Sequence, residues 1–202
     1  MAPDAKSFYR NLAQDFKFYE PEVFFNSTLE YEEIAPNILL TEFLDEDYCK
    51  YLIELSESNG GWKQESYDKF PAQEIRLKEL GLFKSFETAW AAKLGVIAEK
   101  NWTPMRHYGL RDAFTMKYTL DTQTSLGFHN DASHVTGSVK LNDNYEGALL
   151  KWPHQNFTNK DIKVGQCLLF PGQVTHGHLV QPLVSGIKYS LTMWTKRFDH
   201  DA

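Results

Sequence analysis

Residues 114–120 read FTMKYTL, so that apolar Phe114, Met116 and Tyr118 alternate with threonine and lysine. Residues 135–141, VTGSVKL, alternate in the same way. Successive side chains of a β-strand point to opposite faces, so this period of two predicts two strands, each with one buried face.

Further short strands are predicted at Ala148–Trp152, Gly165–Phe170 and Ile187–Thr195, with turn residues such as Pro171-Gly172 and Ser185-Gly186 between them. Several short strands at this spacing indicate a β-sandwich or barrel rather than a parallel α/β sheet. The second half of the chain, residues 110–197, is therefore predicted to be a mainly β domain.

The first hundred residues are predicted to be mostly helical. Acidic Asp45-Glu46-Asp47 suits the start of a helix that reaches Ser58, and Asn59-Gly60-Gly61 ends it. A second helix is predicted over Ser85–Lys100, with apolar residues on one stripe.

A length of 202 residues favours one domain with a small appendage. We expect residues 1–35 to form an N-terminal helical extension, with a helix over Ser7–Tyr19 packed on the core, and residues 36–202 to form the main domain.

Composition excludes several classes of protein. A net charge of −6 argues against nucleic acid as a partner. No run approaches the ~18 apolar residues of a membrane span, and the first residues have no apolar signal-peptide core, so we expect a cytoplasmic protein without a membrane partner. The two cysteines, Cys49 and Cys167, lie far apart, which excludes a disulfide-rich scaffold.

Candidate metal ligands occur in two segments. His129 and Asp131 are two residues apart, so in extended backbone their side chains point the same way. The second segment contains His176 and His178. Two histidines and one carboxylate occupy one face of an octahedral Fe(II) and leave three positions open, enough for a bidentate 2-oxo acid and O₂. In an extended strand, His176 and His178 point to the same face. This pattern therefore does not show which of them is the second histidine ligand.

A 2-oxo acid with a second carboxylate also needs a fixed cation. Lys188 shares one face of its predicted strand with Ser190, Thr192 and Trp194. A lysine on the inner face of a barrel is costly unless an anion pairs with it, and a bound dicarboxylate is such an anion. Lysine offers a point charge rather than a fork, so Ser190 is expected to donate a second hydrogen bond.

The order His129-Asn130-Asp131, His178 and Lys188 resembles the HxD…H…(K/R) pattern of Fe(II)/2-oxoglutarate dioxygenases. Within this prolyl 4-hydroxylase-like superfamily, the chain is most similar to the catalytic domain of procollagen lysyl hydroxylases. The resemblance covers roughly residues 36–197. The matching stretches are Pro71–Gly81, Met116–Ser133, Asn142–Gly147 and Phe170–Ser190.

The resemblance implies a double-stranded β-helix, or jelly roll, with flanking helices. It assigns His129, Asp131 and His178 as catalytic iron ligands, and prefers His178 to His176 because the family has ten residues between this histidine and the basic residue. It places Lys188 and Tyr118 at the 2-oxoglutarate site. Its cofactors are Fe(II), with 2-oxoglutarate and O₂ as cosubstrates; ascorbate is a further candidate.

The implied reaction is hydroxylation of a C–H bond, coupled to decarboxylation of 2-oxoglutarate to succinate and CO₂. The expected substrate is a lysyl or prolyl residue of a peptide or protein. The lysyl hydroxylases have arginine where this chain has Lys188, and lysine there is more like the prolyl 4-hydroxylases.

Three alternatives stay open: a hydroxylase of a free amino acid or small metabolite, a nucleic-acid demethylase, which the acidic charge disfavours, and a non-enzymatic jelly-roll metal-binding module. The sequence also leaves the oligomeric state open, with a homodimer among the choices.

Overall fold

The computed structural model describes residues 24–63, 72–102 and 109–195. The strands are β1 (Glu32–Ala35), β2 (Ile38–Glu42), β3 (Gln73–Arg76), β4 (Leu110–Tyr118), β5 (Leu126–His129), β6 (Val135–Lys140), β7 (Tyr145–Gly147), β8 (Leu150–Trp152), β9 (Phe157–Thr158), β10 (Gln166–Pro171), β11 (His178–Val180), β12 (Leu183–Gly186) and β13 (Lys188–Thr195).

Helix α1 spans Glu46–Asn59. The helix starts at the predicted acidic segment, and the Asp45 side chain caps this start by accepting a hydrogen bond from the Asp47 amide at 2.8 Å. Gly60 ends the helix at φ 66°, a left-handed conformation that glycine adopts without a steric penalty.

The second predicted helix is also present, but it is interrupted. Helix α2 spans Phe83–Ala89, a π-helical turn follows at Trp90–Leu94, and helix α3 spans Gly95–Asn101. The helical spacing of the apolar residues did not predict this π-helical turn.

The strands form two main antiparallel sheets. The major sheet has the order β1-β2-β10-β6-β13-β4-β3 and the minor sheet the order β5-β11-β8-β9, while β12 pairs with β7. Two facing antiparallel sheets in this arrangement are a double-stranded β-helix, which confirms the predicted fold class.

The prediction of a mostly helical first half omitted β1, β2 and β3. These strands are short, and β2 and β3 are held by partners far along the chain: β2 pairs with β10, and β3 pairs with β4. Local sequence patterns carry no signal for such pairing, because the partner supplies the hydrogen bonds.

The major sheet separates two apolar layers. One layer lies between the sheet and the helices and includes Phe86, Trp90, Val139 and Leu191. The other lies between the two sheets and includes Phe114, Tyr118, Trp152, Leu168 and Phe170. The alternation seen in β4, β6 and β13 therefore divides each strand between these layers.

The predicted helix over Ser7–Tyr19 lies outside the described residues. Within the predicted extension, Phe24 and Phe25 are buried in the helix-side layer, and β1 pairs with β2. No helix within the described ranges has the length and apolarity needed to cross a membrane.

Candidate active site

The two sheets enclose a cavity of about 280 Å³. Phe114, Met116, Leu168 and Phe170 contribute apolar wall. All of the predicted site residues also line the cavity: Tyr118, His129, Asp131, His178, Lys188 and Ser190. The fold thus brings into one space residues that the sequence separates by up to 72 positions (118 to 190).

His129, Asp131 and His178 form a cluster, called here the His-Asp-His cluster. One potential ligand atom from each lies within 4.8 Å of the other two. His129 ends β5 and His178 begins β11, and the two residues are direct partners in the antiparallel ladder of the minor sheet. Asp131 follows β5, with its amide held by the Gly172 carbonyl at 2.8 Å.

Backbone carbonyls fix the tautomers of both histidines. His129 Nδ1 lies 2.8 Å from the Gly127 carbonyl oxygen, and His178 Nδ1 lies 2.9 Å from the His176 carbonyl oxygen. A carbonyl only accepts, so each Nδ1 must carry the proton, and the lone pair of each neutral ring is on Nε2. The two Nε2 atoms lie 3.6 and 3.7 Å from Asp131 Oδ1.

Charge and hydrogen bonding suit this cluster to a cation. Burial opposes ionisation of Asp131, but the neighbouring rings of His178 and His129 and the hydrogen bond from Thr136 hold its pKa below the ordinary value. Burial lowers the pKa of His178, which keeps that ring neutral. Two neutral imidazoles and one carboxylate are a donor set typical of non-haem Fe(II) sites, so the residues present fit this metal.

Of the two candidate histidines, only His178 has its ring directed towards Asp131. Both ring nitrogens of His176 are engaged away from the cluster: Nδ1 lies 2.8 Å from Thr175 Oγ1, and Nε2 lies 3.0 Å from the Pro36 carbonyl oxygen. The structure therefore brings His178, and not His176, to Asp131.

Lys188 is buried in the same cavity, with only 4% of its surface exposed. Its ammonium donates to the Ala148 carbonyl at 2.7 Å and lies 5.1 Å from the centre of the Tyr118 ring. Burial, together with the charge of Lys140, lowers the pKa of Lys188 to about 7. Burial also raises the pKa of Tyr118, so its hydroxyl stays protonated.

Two further residues, Thr136 and Trp152, support the cluster. Thr136 donates to Asp131 Oδ2 at 2.7 Å and so orients the carboxylate. Trp152 is fully buried and packs against the His178 ring at 5.7 Å between centroids. The alternation of β6 places Thr136 on a polar face, but the sequence does not show that this face meets Asp131.

Comparisons with known proteins confirm the resemblance inferred from the motifs. No model of a protein family matches the chain. The procollagen-lysine,2-oxoglutarate 5-dioxygenase of Drosophila melanogaster is 24% identical over 178 residues, covering 81% of this chain and 25% of that protein. The multifunctional procollagen lysine hydroxylase and glycosyltransferase of Caenorhabditis elegans is 26% identical over 176 residues, covering 78% of this chain and 24% of that protein. The chain thus spans about a quarter of the length of these relatives.

Solved structures show the same fold. The viral collagen prolyl hydroxylase of Paramecium bursaria Chlorella virus-1, solved with 2-oxoglutarate, aligns with a TM-score of 0.62 and 15% identity over 83% of this chain and 100% of that one. A prolyl-4-hydroxylase of Pseudomonas putida aligns with a TM-score of 0.57 and 16% identity over 80% of this chain and 93% of that one. At this identity the likeness supports the fold alone.

Proposed function

We propose that this chain is an Fe(II)- and 2-oxoglutarate-dependent oxygenase that hydroxylates a C–H bond of a lysyl or prolyl residue in a peptide. The observation that carries the proposal is that the His-Asp-His cluster and the buried Lys188 line one cavity. A cluster that served only as a structural metal site would require neither a buried cation beside it nor open metal positions.

In this proposal His129 Nε2, Asp131 Oδ1 and His178 Nε2 hold the metal. Bound iron would supply reductive activation of O₂ coupled to oxidation of 2-oxoglutarate to succinate and CO₂. The residues of the chain control the geometry: the Gly127 and His176 carbonyls keep each Nε2 lone pair directed into the cavity.

Lys188 is proposed to bind the distal carboxylate of 2-oxoglutarate, and Tyr118 and Ser190 to line the same subsite. An arriving carboxylate would restore the full positive charge of Lys188, because an anion within a few ångströms offsets the cost of burial. The apolar walls, including Phe114 and Phe170, exclude water from the reacting groups.

A volume of about 280 Å³ suits the cosubstrate together with one substrate side chain rather than a folded protein. A peptide would therefore present a single residue to the cavity. The names of the relatives, procollagen lysine hydroxylases and collagen prolyl hydroxylases, support a lysyl or prolyl residue in that place.

The test is succinate formation from 2-oxoglutarate by the iron-loaded protein with lysine- and proline-containing peptides, and mass spectrometry of the peptides. We expect Fe(II)-dependent succinate and a peptide heavier by one oxygen. The variants His129→Ala and Asp131→Ala should abolish both products, whereas Asp161→Asn, at an exposed position, should retain them.

Other outcomes separate the alternatives. Turnover with single amino acids but not with peptides would indicate a small-metabolite hydroxylase. Metal binding without any succinate would favour the non-enzymatic binding module. Parallel reactions with and without ascorbate test that reductant, and sedimentation tests the homodimer.

A further inference from the structure

A second lysine lines the cavity beside Lys188. Lys140 ends β6 and is the direct ladder partner of Ser190 on β13. Lys188 is two residues from Ser190 and therefore on the same face, so the two lysines are diagonal neighbours across adjacent strands, with Cα atoms roughly 7–8 Å apart. Both side chains line the enclosed space between the sheets.

Each ammonium is held by a carbonyl from outside the major sheet. Lys140 Nζ donates to the Ile162 carbonyl at 2.9 Å, and Lys188 Nζ donates to the Ala148 carbonyl at 2.7 Å. An ammonium has three N–H donors. After these bonds, each lysine still has N–H donors for a further hydrogen bond.

The described residues place no carboxylate within ion-pair distance of either lysine. The two acidic residues that line the cavity pair elsewhere: Asp131 with the cluster histidines and Glu74 with Arg76. Two like charges at the wall of an enclosed site repel each other, and a bound anion removes that cost. The pair is therefore suited to bind an anion.

We infer that Lys140 is a second cation of the subsite that binds the distal carboxylate of the 2-oxo acid, acting with Lys188 to position that carboxylate. The inference rests on the proposed function. A single lysine offers one point charge, whereas arginine offers a planar fork that matches both oxygens of a carboxylate. Two lysines on adjacent strands can each bind one carboxylate oxygen, and so together replace the two hydrogen bonds that an arginine would donate.

The experiment measures binding to the Mn(II)-loaded protein by calorimetry, without turnover. The ligands are 2-oxoglutarate and oxalate, because oxalate chelates a metal but has no distal carboxylate. The variant Lys140→Gln removes the charge while keeping an N–H donor for the Ile162 carbonyl. Lys140→Arg restores the charge, and Lys163→Gln, at an exposed position in the neighbouring loop, is the matched control.

We expect Lys140→Gln to weaken 2-oxoglutarate binding about 10- to 100-fold, the effect of losing one charge-assisted contact. Oxalate binding should change less than about threefold on the same scale. Lys140→Arg should recover most of the 2-oxoglutarate affinity, which a merely structural loss would not show.

Three results would overturn the inference. The first is unchanged 2-oxoglutarate affinity in Lys140→Gln, and the second is an equal loss for oxalate and 2-oxoglutarate. The third is a wild-type protein that binds oxalate but not 2-oxoglutarate, which refutes the proposed function itself. Circular dichroism checks folding, and Lys140→Met replaces Lys140→Gln if the latter does not fold.

Discussion

The buried charge of Lys188 makes the empty protein less stable than it could be, and Lys188→Met should reveal this. Lysine has an ordinary pKa of 10.5, and in the folded protein this value falls to about 7. Each pKa unit corresponds to about 1.4 kcal/mol, so the folded state bears a cost of roughly 4–5 kcal/mol at or below pH 7, where the unfolded chain is fully protonated.

The sign of the pH dependence follows from proton counts. Between pH 7 and 10.5 the unfolded chain binds more protons at this lysine than the folded protein does, so stability rises with pH in that window. Between pH 7 and 8.5 the contribution of Lys188 should amount to about 2 kcal/mol. In Lys188→Met, this rise in the free energy of unfolding with pH should be absent.

At pH 7 the substitution also removes the hydrogen bond to the Ala148 carbonyl, which costs about 1–3 kcal/mol. The net expectation is that Lys188→Met is more stable than wild type by about 2 kcal/mol at pH 7 and about equal to it at pH 8.5. The variant should at the same time lose tight binding of 2-oxoglutarate, a trade of function for stability.

The assay is urea unfolding of metal-free protein without 2-oxoglutarate, at pH 7.0 and 8.5, followed by tryptophan fluorescence. Lys163→Met is the control for loss of an exposed lysine. Lys93 is another buried lysine whose pKa burial lowers, but it is present in both proteins and cancels from the difference. A stability difference that stays constant between the two pH values would refute the reasoning.

Three further substitutions test the support of the site. Thr136→Val removes the 2.7 Å hydrogen bond to the cluster carboxylate and should weaken Mn(II) binding about 10- to 100-fold in a metal titration, with little change in fold; an unchanged affinity would contradict the orienting role. Trp152→Ala should lower the free energy of unfolding by about 3–5 kcal/mol in urea titrations, because the ring is fully buried between the sheets. Gly177→Ala would place a Cβ against the Phe128 ring. Because Gly177 immediately precedes His178, the shift this requires should weaken metal binding, whereas the Cβ of Gly109→Ala would meet nothing within 4 Å and should leave metal binding unchanged.

The sequence predicted those parts of the site that depend on strand periodicity. The period of two in β13 placed Lys188, Ser190, Thr192 and Trp194 on one face, and all four line the cavity. The i and i+2 spacing likewise predicted that His129 and Asp131 converge, and their ligand atoms are 3.6 Å apart. Periodicity is a local property, so a single chain segment is enough to determine it.

What the sequence did not predict depends on contacts between distant segments. His176 and His178 have the same strand parity, so periodicity alone does not choose between them. The family spacing favoured His178, but the contact that holds the His176 ring elsewhere, with Pro36 140 residues away, is visible only in the structure. Lys140 is one of several alternating polar residues until the register with Ser190 places it beside Lys188. Register between strands is set by the assembled sheet rather than by either strand alone.

In the proposed function, the two sheets would contribute different ends of the cosubstrate site. His129 and His178 belong to the minor sheet, whereas Lys140, Lys188 and Ser190 belong to the major sheet. The gap between the sheets therefore determines how many carbon atoms can separate the two carboxylates of an acceptable diacid. Sheets that face each other are roughly 10 Å apart, a distance fixed by the side chains packed between them. Under the proposed function, selectivity among homologous 2-oxo diacids would depend on the core packing around Leu168 and Phe170. It would change with the volume of those side chains, even though neither carries a polar group.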